Sequence, residues 1–167
     1  MDPLILNNLK KVPFFKKFKN DNAVMEKIAE MCVRREIKKG KAIINEGEYG
    51  DELFIIMDGQ IEIQKRTLQN ELYTVTSLDA SSGGVYVGEL AMIDSDIRSA
   101  TVTAKTDCDC LIIKRKKFLK FGDENPRAGL EITRAIAMQL ARNLRKTNSD
   151  VITLFSALVE EVAGEDV

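Results

Sequence analysis

Apolar residues recur every three or four positions at both ends of this chain and every second position in its middle. Leu4, Ile5 and Leu9 predict a first helix, opened by Asp2 or Pro3. It ends near Val12-Pro13, because a residue before proline avoids the helical region. Val24, Met25, Ile28, Ala29 and Cys32 keep the same period and predict a second helix from Asn20 or Asp21 to about Val33. From Arg35 the pattern alternates. Lys41–Ile44, Glu52–Met57, Gln60–Gln64, Leu72–Thr76, Ser99–Thr103 and Cys110–Ile113 read as strands. Gly40, Gly47, Gly50-Asp51 and Asp58-Gly59 separate the first of them, and Asp58-Gly59 predicts a tight hairpin. Many short strands at close spacing predict a jelly roll or barrel.

The last third returns to helical spacing. A short helix is expected from Arg115 to Phe121. Asn125-Pro126 supplies an N-cap and a first-position proline for the next one. That helix is expected to bury Ile132, Ile136, Leu140 and Leu144. Val151, Phe155, Leu158 and Val162 continue an apolar stripe, with a break at Asn148-Ser149-Asp150 left open. A stripe repeating about every 3.5 residues calls for a partner helix. Homodimerisation through it is the expectation; folding back on the roll is the alternative. The fold class is thus mainly β with flanking helices: a jelly roll with N-terminal helices and a long C-terminal helix. As one domain over 1–167, the chain divides into N-terminal helices (1–34), β-roll (35–113) and lid or dimerisation helices (114–167).

Composition narrows the function. A length of 167 residues suits one compact domain. With 25 basic and 26 acidic residues the formal net charge is −1, which argues against direct nucleic-acid binding. The run Lys114-Arg115-Lys116-Lys117 reads as a solvated helix face, with Phe118 and Phe121 as its buried side. There is no apolar run of membrane-spanning length. Met1-Asp2-Pro3 lacks the basic flank of a secretion signal, so a cytoplasmic location is expected. Three cysteines are too few and too oddly spaced for a disulfide framework or an iron–sulfur cluster. Alternation puts Cys108 and Cys110 on one strand face, as buried thiols. The chain has no histidine, which removes Ser-His-Asp and Cys-His catalysis and every histidine metal site. No enzyme, metal or cofactor is expected.

The most informative stretch is Gly88-Glu89-Leu90-Ala91-Met92-Ile93-Asp94-Ser95-Asp96-Ile97-Arg98-Ser99-Ala100-Thr101-Val102. Its carboxylate and guanidinium, Glu89 and Arg98, suit one small anionic ligand carrying hydroxyls and a phosphate. Together with Val12-Pro13-Phe14-Phe15, Gly40–Gly47, Gly50-Asp51 and Met57-Asp58-Gly59, this run resembles the cyclic nucleotide-binding domain, the ligand module of the catabolite activator protein and of cyclic-nucleotide-dependent kinases. The resemblance covers roughly residues 10 to 148.

The resemblance implies a role for each residue of the stretch. Arg98 would hold the cyclic phosphate and Glu89 the ribose 2′-hydroxyl. Gly88 would let the backbone approach the sugar, and residues 89 to 93 would form one helical turn whose free N–H groups face the phosphate. Ser99 would add a hydroxyl and Ala100 an N–H, while Leu90 and Ala91 would wall the pocket. Gly47, Gly50 and Gly59 would shape the roll without touching ligand. Thr147 and Asn148 fall where the family reads the base, the alternative being a polar break between helices. An asparagine amide suits adenine, and family members preferring cGMP often have threonine where this chain has Ser99, so cAMP is favoured over cGMP.

Two departures from the family pattern stand out. Asp79–Val87 is longer than the family's usual turn, and no helix-turn-helix pattern follows the last helix. The expected function is a stand-alone cyclic-nucleotide sensor that moves its C-terminal helices against an effector protein. The alternatives are a nucleotide-free scaffold of the same fold and the ligand domain of a truncated transcription regulator. A cupin-type enzyme fails on the missing histidines.

Overall fold

The computed structural model describes residues 2–95 and 97–164, with side chains as far as Val162. They form two compact units, Met1–Thr133 and Arg134–Val167. The first opens with α1 (Pro3–Lys11), a 3-10 turn (Pro13–Phe18) and α2 (Asn22–Met31). Asp2 caps α1 by accepting from the Leu4 N–H at 2.9 Å, and Asp21 caps α2 by accepting from the Val24 N–H at 3.1 Å. Eight strands follow: β1 (Cys32–Ile37), β2 (Ala42–Ile44), β3 (Glu52–Asp58), β4 (Gln60–Arg66), β5 (Leu72–Asp79), β6 (Val85–Val87), β7 (Thr101–Ala104) and β8 (Cys108–Lys114). α3 (Arg115–Glu124) and α4 (Pro126–Gly164) complete the chain.

The strands make two antiparallel four-stranded sheets, ordered β1-β8-β3-β6 and β2-β7-β4-β5. This is the mainly β roll with flanking helices that the alternation predicts. Ile44, Phe54, Ile56, Ile61, Val102, Cys110 and Ile112 fill the core between the sheets. Leu53, Ile55, Leu111 and Ile113 point to the other face of the first sheet and are also buried. On that side α1 meets β3, α2 meets β1 and α3 meets β8. A strand covered on both faces needs apolar residues at every position, which is why Leu53–Met57 has no polar break. Each such side chain contributes about 1.5–3 kcal/mol on burial. Phe118 and Phe121 are the buried side of α3, as its pattern requires.

Several expectations are corrected. Asp58-Gly59 is not a hairpin turn: β3 and β4 lie in different sheets, and Gly59 makes the corner between them. Its φ is +103°, and an added Cβ would lie 2.6 Å from the Asp107 carbonyl oxygen. The tight hairpin is β4–β5, closed by the Thr67 N–H on the Glu71 carbonyl at 2.8 Å, with Asn70 left-handed. The second helix ends at Met31 rather than Val33, and the roll spans 32–114 rather than 35–113. Val33, Arg34, Arg35 and Glu36 are exposed, so β1 shows no alternation to read.

The segment read as a long loop, Asp79–Val87, contains a 3-10 turn capped by Asp79 and then β6. β6 pairs with β3, Phe54 opposite Val87. Leu144, expected to be buried, is 62% exposed.

At the α3–α4 joint the Asn125 carbonyl accepts from the Gly129 N–H, as an N-cap does. The Asn125 side chain serves α3 instead, donating to the Phe121 carbonyl at 3.1 Å and accepting from Lys27 Nζ at 2.7 Å. In the second unit α4 runs unbroken through Asn148-Ser149-Asp150. Val151, Phe155, Leu158 and Val162 are all more than half exposed along it. No helix among the described residues is long and apolar enough to cross a membrane.

Candidate functional site

Gly88 ends the short run after β6 with φ +82°, a left-handed conformation that only glycine adopts without strain. The chain then makes one 3-10 turn, Glu89–Met92, the single turn that the sequence implies. The Ala91 N–H bonds back to the Gly88 carbonyl at 3.2 Å. The Ile93 and Asp94 N–H groups both bond to the Leu90 carbonyl. Ala91 and Met92 are buried beneath the turn, whereas Leu90 is 43% exposed. Glu89 is half-buried.

Arg98 returns to the same place from the far side. Its backbone N–H donates to the Glu48 carbonyl at 2.8 Å, and its carbonyl accepts from the Gly47 N–H at 3.0 Å. The guanidinium then lies across β3. Nη2 donates to the Glu52 carbonyl at 2.7 Å, and Nη1 reaches the Gly88 carbonyl at 3.5 Å. Among the described residues Arg98 closes no ion pair within 4 Å. Glu52, Asp51 and Glu89 act on it only through space. Burial pushes its pKa below the ordinary arginine value, and those three carboxylates pull it partly back. The result is a half-buried cation held by two backbone carbonyls, with charge to spare for an anion.

Two glycines make this seat. An added Cβ on Gly88 would lie 2.7 Å from Arg98 Nη1 and 2.8 Å from the Glu52 carbonyl oxygen. On Gly50 it would lie 2.6 Å from both Cζ and Nη2 of Arg98. Gly50 therefore shapes the site itself, beyond the turn role expected of it. The sequence signal was the Gly50-Asp51 pair, which looks like any turn. The structure brings Gly88, Glu89 and Arg98 together. Ser99 follows Arg98 and is exposed, and Ala100 is half-buried. Thr147 and Asn148 lie on α4 in the second unit, both exposed.

Arg115, the first residue of α3, also reaches this region. Its backbone N–H donates to the Asp51 carbonyl at 2.7 Å, and its Nη2 lies 3.4 Å from the Ile93 carbonyl at the end of the 3-10 turn. Its Nε is buried with no hydrogen-bond partner. The basic-run reading of the sequence missed this inward role.

The thiols are elsewhere. Cys108 and Cys110 are fully buried in the core, on one strand face as expected. Burial pushes Cys32 and Cys110 up to about 12, so both stay neutral near pH 7. Among the described residues no group of three His, Cys, Asp or Glu side chains is placed to hold a metal ion.

The roll of two four-stranded sheets thus brings a glycine-opened turn and a half-buried arginine to one place. The family described as cyclic nucleotide-binding domain matches residues 34–125, and the chain belongs to it. The cAMP-dependent protein kinase regulatory subunit of Mycosarcoma maydis is 40% identical over 93 residues, 56% of this chain and 17% of that protein. Human cGMP-dependent protein kinase 2 is 32% identical over 113 residues, 67% of this chain and 14% of that protein. Among solved structures, the catabolite activator protein of Thermus thermophilus shares the fold at TM-score 0.73 and 24% identity, covering 85% of this chain and 62% of that one. The chain thus spans less than a fifth of the length of these curated relatives. The matched family is a ligand-binding domain, not a catalytic one.

Proposed function

We propose that this chain is a regulatory module that takes cAMP in preference to cGMP and answers by moving its C-terminal helices. One observation carries the reading: the Arg98 guanidinium is half-buried, held by the Glu52 and Gly88 carbonyls, and lacks a carboxylate partner among the described residues. A cyclic phosphate diester has one negative charge and two free oxygens, which a guanidinium meets through directed, charge-assisted bonds. Glu89 accepts from the ribose 2′-hydroxyl, and Gly88 lets the sugar approach. Ser99 and the Ala100 N–H add donors, and Leu90 and Ala91 form the wall. Base reading falls to Thr147 and Asn148, and the amide of Asn148 matches adenine in donor and acceptor. The curated relatives carry both cAMP and cGMP in their names, so the preference rests on Ser99 and Asn148.

The output rests on two supports. Arg115 ties the start of α3 to the Asp51 and Ile93 carbonyls, so displacement of the turn bears directly on that helix. The exposed stripe Val151, Phe155, Leu158, Val162 supports homodimerisation through α4. An effector protein then reads the helices.

Calorimetric titration with cAMP, cGMP and 2′-deoxy-cAMP tests the reading. We expect cAMP to bind most tightly. Glu89→Ala should weaken cAMP by about 1.5–3 kcal/mol while leaving 2′-deoxy-cAMP nearly unchanged. Absence of binding by any cyclic nucleotide refutes the function. An equal loss for both cAMP analogues refutes the role of Glu89.

A further inference from the structure

Of the three carboxylates that act on the Arg98 guanidinium through space, Glu52 acts most strongly, ahead of Asp51 and Glu89. Glu52 is also the residue whose backbone carbonyl accepts from Nη2 of Arg98 at 2.7 Å. A glutamate side chain is long enough to fold back onto a cation seated against its own carbonyl. A direct ion pair there would occupy the donors that an incoming anion needs.

Lys114 holds the Glu52 side chain elsewhere. Glu52 opens β3 and stands opposite Lys114, the last residue of β8, in the antiparallel ladder. Side chains directly opposite on neighbouring strands lie on one face and interact. Lys114 Nζ lies 3.8 Å from Glu52 Oε1, and only 22% of the glutamate side chain is exposed against 56% of the lysine. The backbone fixes the same corner. The Arg115 N–H donates to the Asp51 carbonyl at 2.7 Å, so the end of β8 stays against the start of β3. Asp51 and Glu89 form no ion pair within 4 Å among the described residues, so Glu52 alone of the three is both the strongest competitor and restrained by a cation.

We propose that Glu52 sets the affinity of the Arg98 seat by competing with the incoming anion, and that Lys114 keeps the seat open by holding Glu52 aside. The inference rests on the reading of Arg98 as the phosphate contact. Its consequences have opposite signs. With the charge of Glu52 removed, a phosphate meets the guanidinium free of a neighbouring repulsion, and affinity rises. With the charge of Lys114 removed, Glu52 closes on Arg98, and affinity falls. Lys114 acts only through Glu52, so its removal is silent once Glu52 is neutral. Reciprocally, a bound anion drives Glu52 toward Lys114, the residue that leads into α3.

Calorimetric titration of cAMP into the unmutated chain, Glu52→Gln, Lys114→Met and the double variant tests this. Glutamine keeps the length and shape of Glu52, and the carbonyl that holds Arg98 belongs to the backbone. Glu52→Gln should tighten cAMP about three- to tenfold at low salt. Lys114→Met should weaken it about threefold, the scale of a partly exposed pair. The double variant should bind like Glu52→Gln alone, within about twofold. Raising the salt to about 0.5 M should shrink both single effects. A lysine that merely shapes the start of α3 would weaken binding equally in both backgrounds, and that result overturns the proposal. Unchanged or weaker binding by Glu52→Gln, with the unmutated chain still binding cAMP, overturns it too and leaves the role of Arg98 intact. Binding absent from all four chains removes the phosphate reading of Arg98 and this proposal with it.

Discussion

Two arginines in this roll face opposite fates. Arg34, on β1, meets its own carboxylate. Its Nε donates to both oxygens of Asp109 at 3.0 Å and its Nη2 to Oδ2 at 2.6 Å, across the β1–β8 ladder. That bond pushes its pKa above the usual value. Arg98 meets carbonyl dipoles instead, and burial pushes its pKa below the usual value. A neutralised guanidinium at the surface fastens two strands and has nothing left to offer. A guanidinium fixed by carbonyls, with carboxylates at a distance, keeps its charge and its geometry ready for an incoming anion. Residue type does not distinguish a receptor from a fastener; the partner does.

The sharpest way to break the comparison is to remove each arginine in turn. Arg98→Ala should cost roughly 3–5 kcal/mol in cAMP binding, a hundredfold or more in Kd, because the phosphate loses its directed partner. Arg34→Ala should leave Kd within about twofold, a few tenths of a kcal/mol. Calorimetry on the two variants decides it. Equal losses would mean that Arg98 contributes only long-range charge, and the distinction between the two sites would collapse.

A gentler change keeps Arg98 and spoils its seat. Gly50 is not in a left-handed conformation, so alanine is tolerated by the backbone there. The added methyl would nevertheless meet the Arg98 guanidinium at 2.6 Å and push it off the Glu52 carbonyl. Gly50→Ala should weaken cAMP about tenfold, roughly 1.4 kcal/mol, with little change in melting temperature. Unchanged affinity would show that the precise seat of the guanidinium is unimportant.

How far these features can be read from sequence depends on the range of the interaction involved. The alternation that gives the strands is local, and so is the placing of Cys108 and Cys110 on one face. Glu89 and Arg98 are nine residues apart, close enough for one turn and one return to join them. Gly50 is different. Its role depends on a side chain 48 residues further on, so no neighbour in sequence announces it. The Asp58-Gly59 corner failed for a related reason. A left-handed glycine suits a hairpin turn and a crossing between sheets equally well, and only the distant partners of β3 and β4 choose. β1 was not read as a strand, because its exposed charged residues give no period of two. Leu144 keeps the helical spacing of Ile132, yet it is exposed. Spacing identifies a face; what covers the face is a tertiary fact.

The smallest effect comes from the surface that holds Arg34. There Asp107 accepts from the Lys39 N–H at 2.9 Å and from Lys38 Nζ at 3.0 Å. These bonds, the backbone one foremost, depress its pKa below the usual 3.8. The unfolded chain therefore binds this proton at a higher pH than the folded one. The stabilisation is present above the usual carboxylate pKa and is lost as pH falls through the depressed value. Asp107→Asn should accordingly lower the melting temperature slightly at pH 7, and the gap should close as the pH falls through the depressed value, where the unmutated carboxyl is itself taking up its proton. Affinity for cAMP at pH 7 should not change, because no bond of Asp107 reaches the Arg98 seat. A gap that widens in acid would reverse the sign of the linkage. Weakened cAMP binding would show that the fastened surface and the receptor surface are coupled after all.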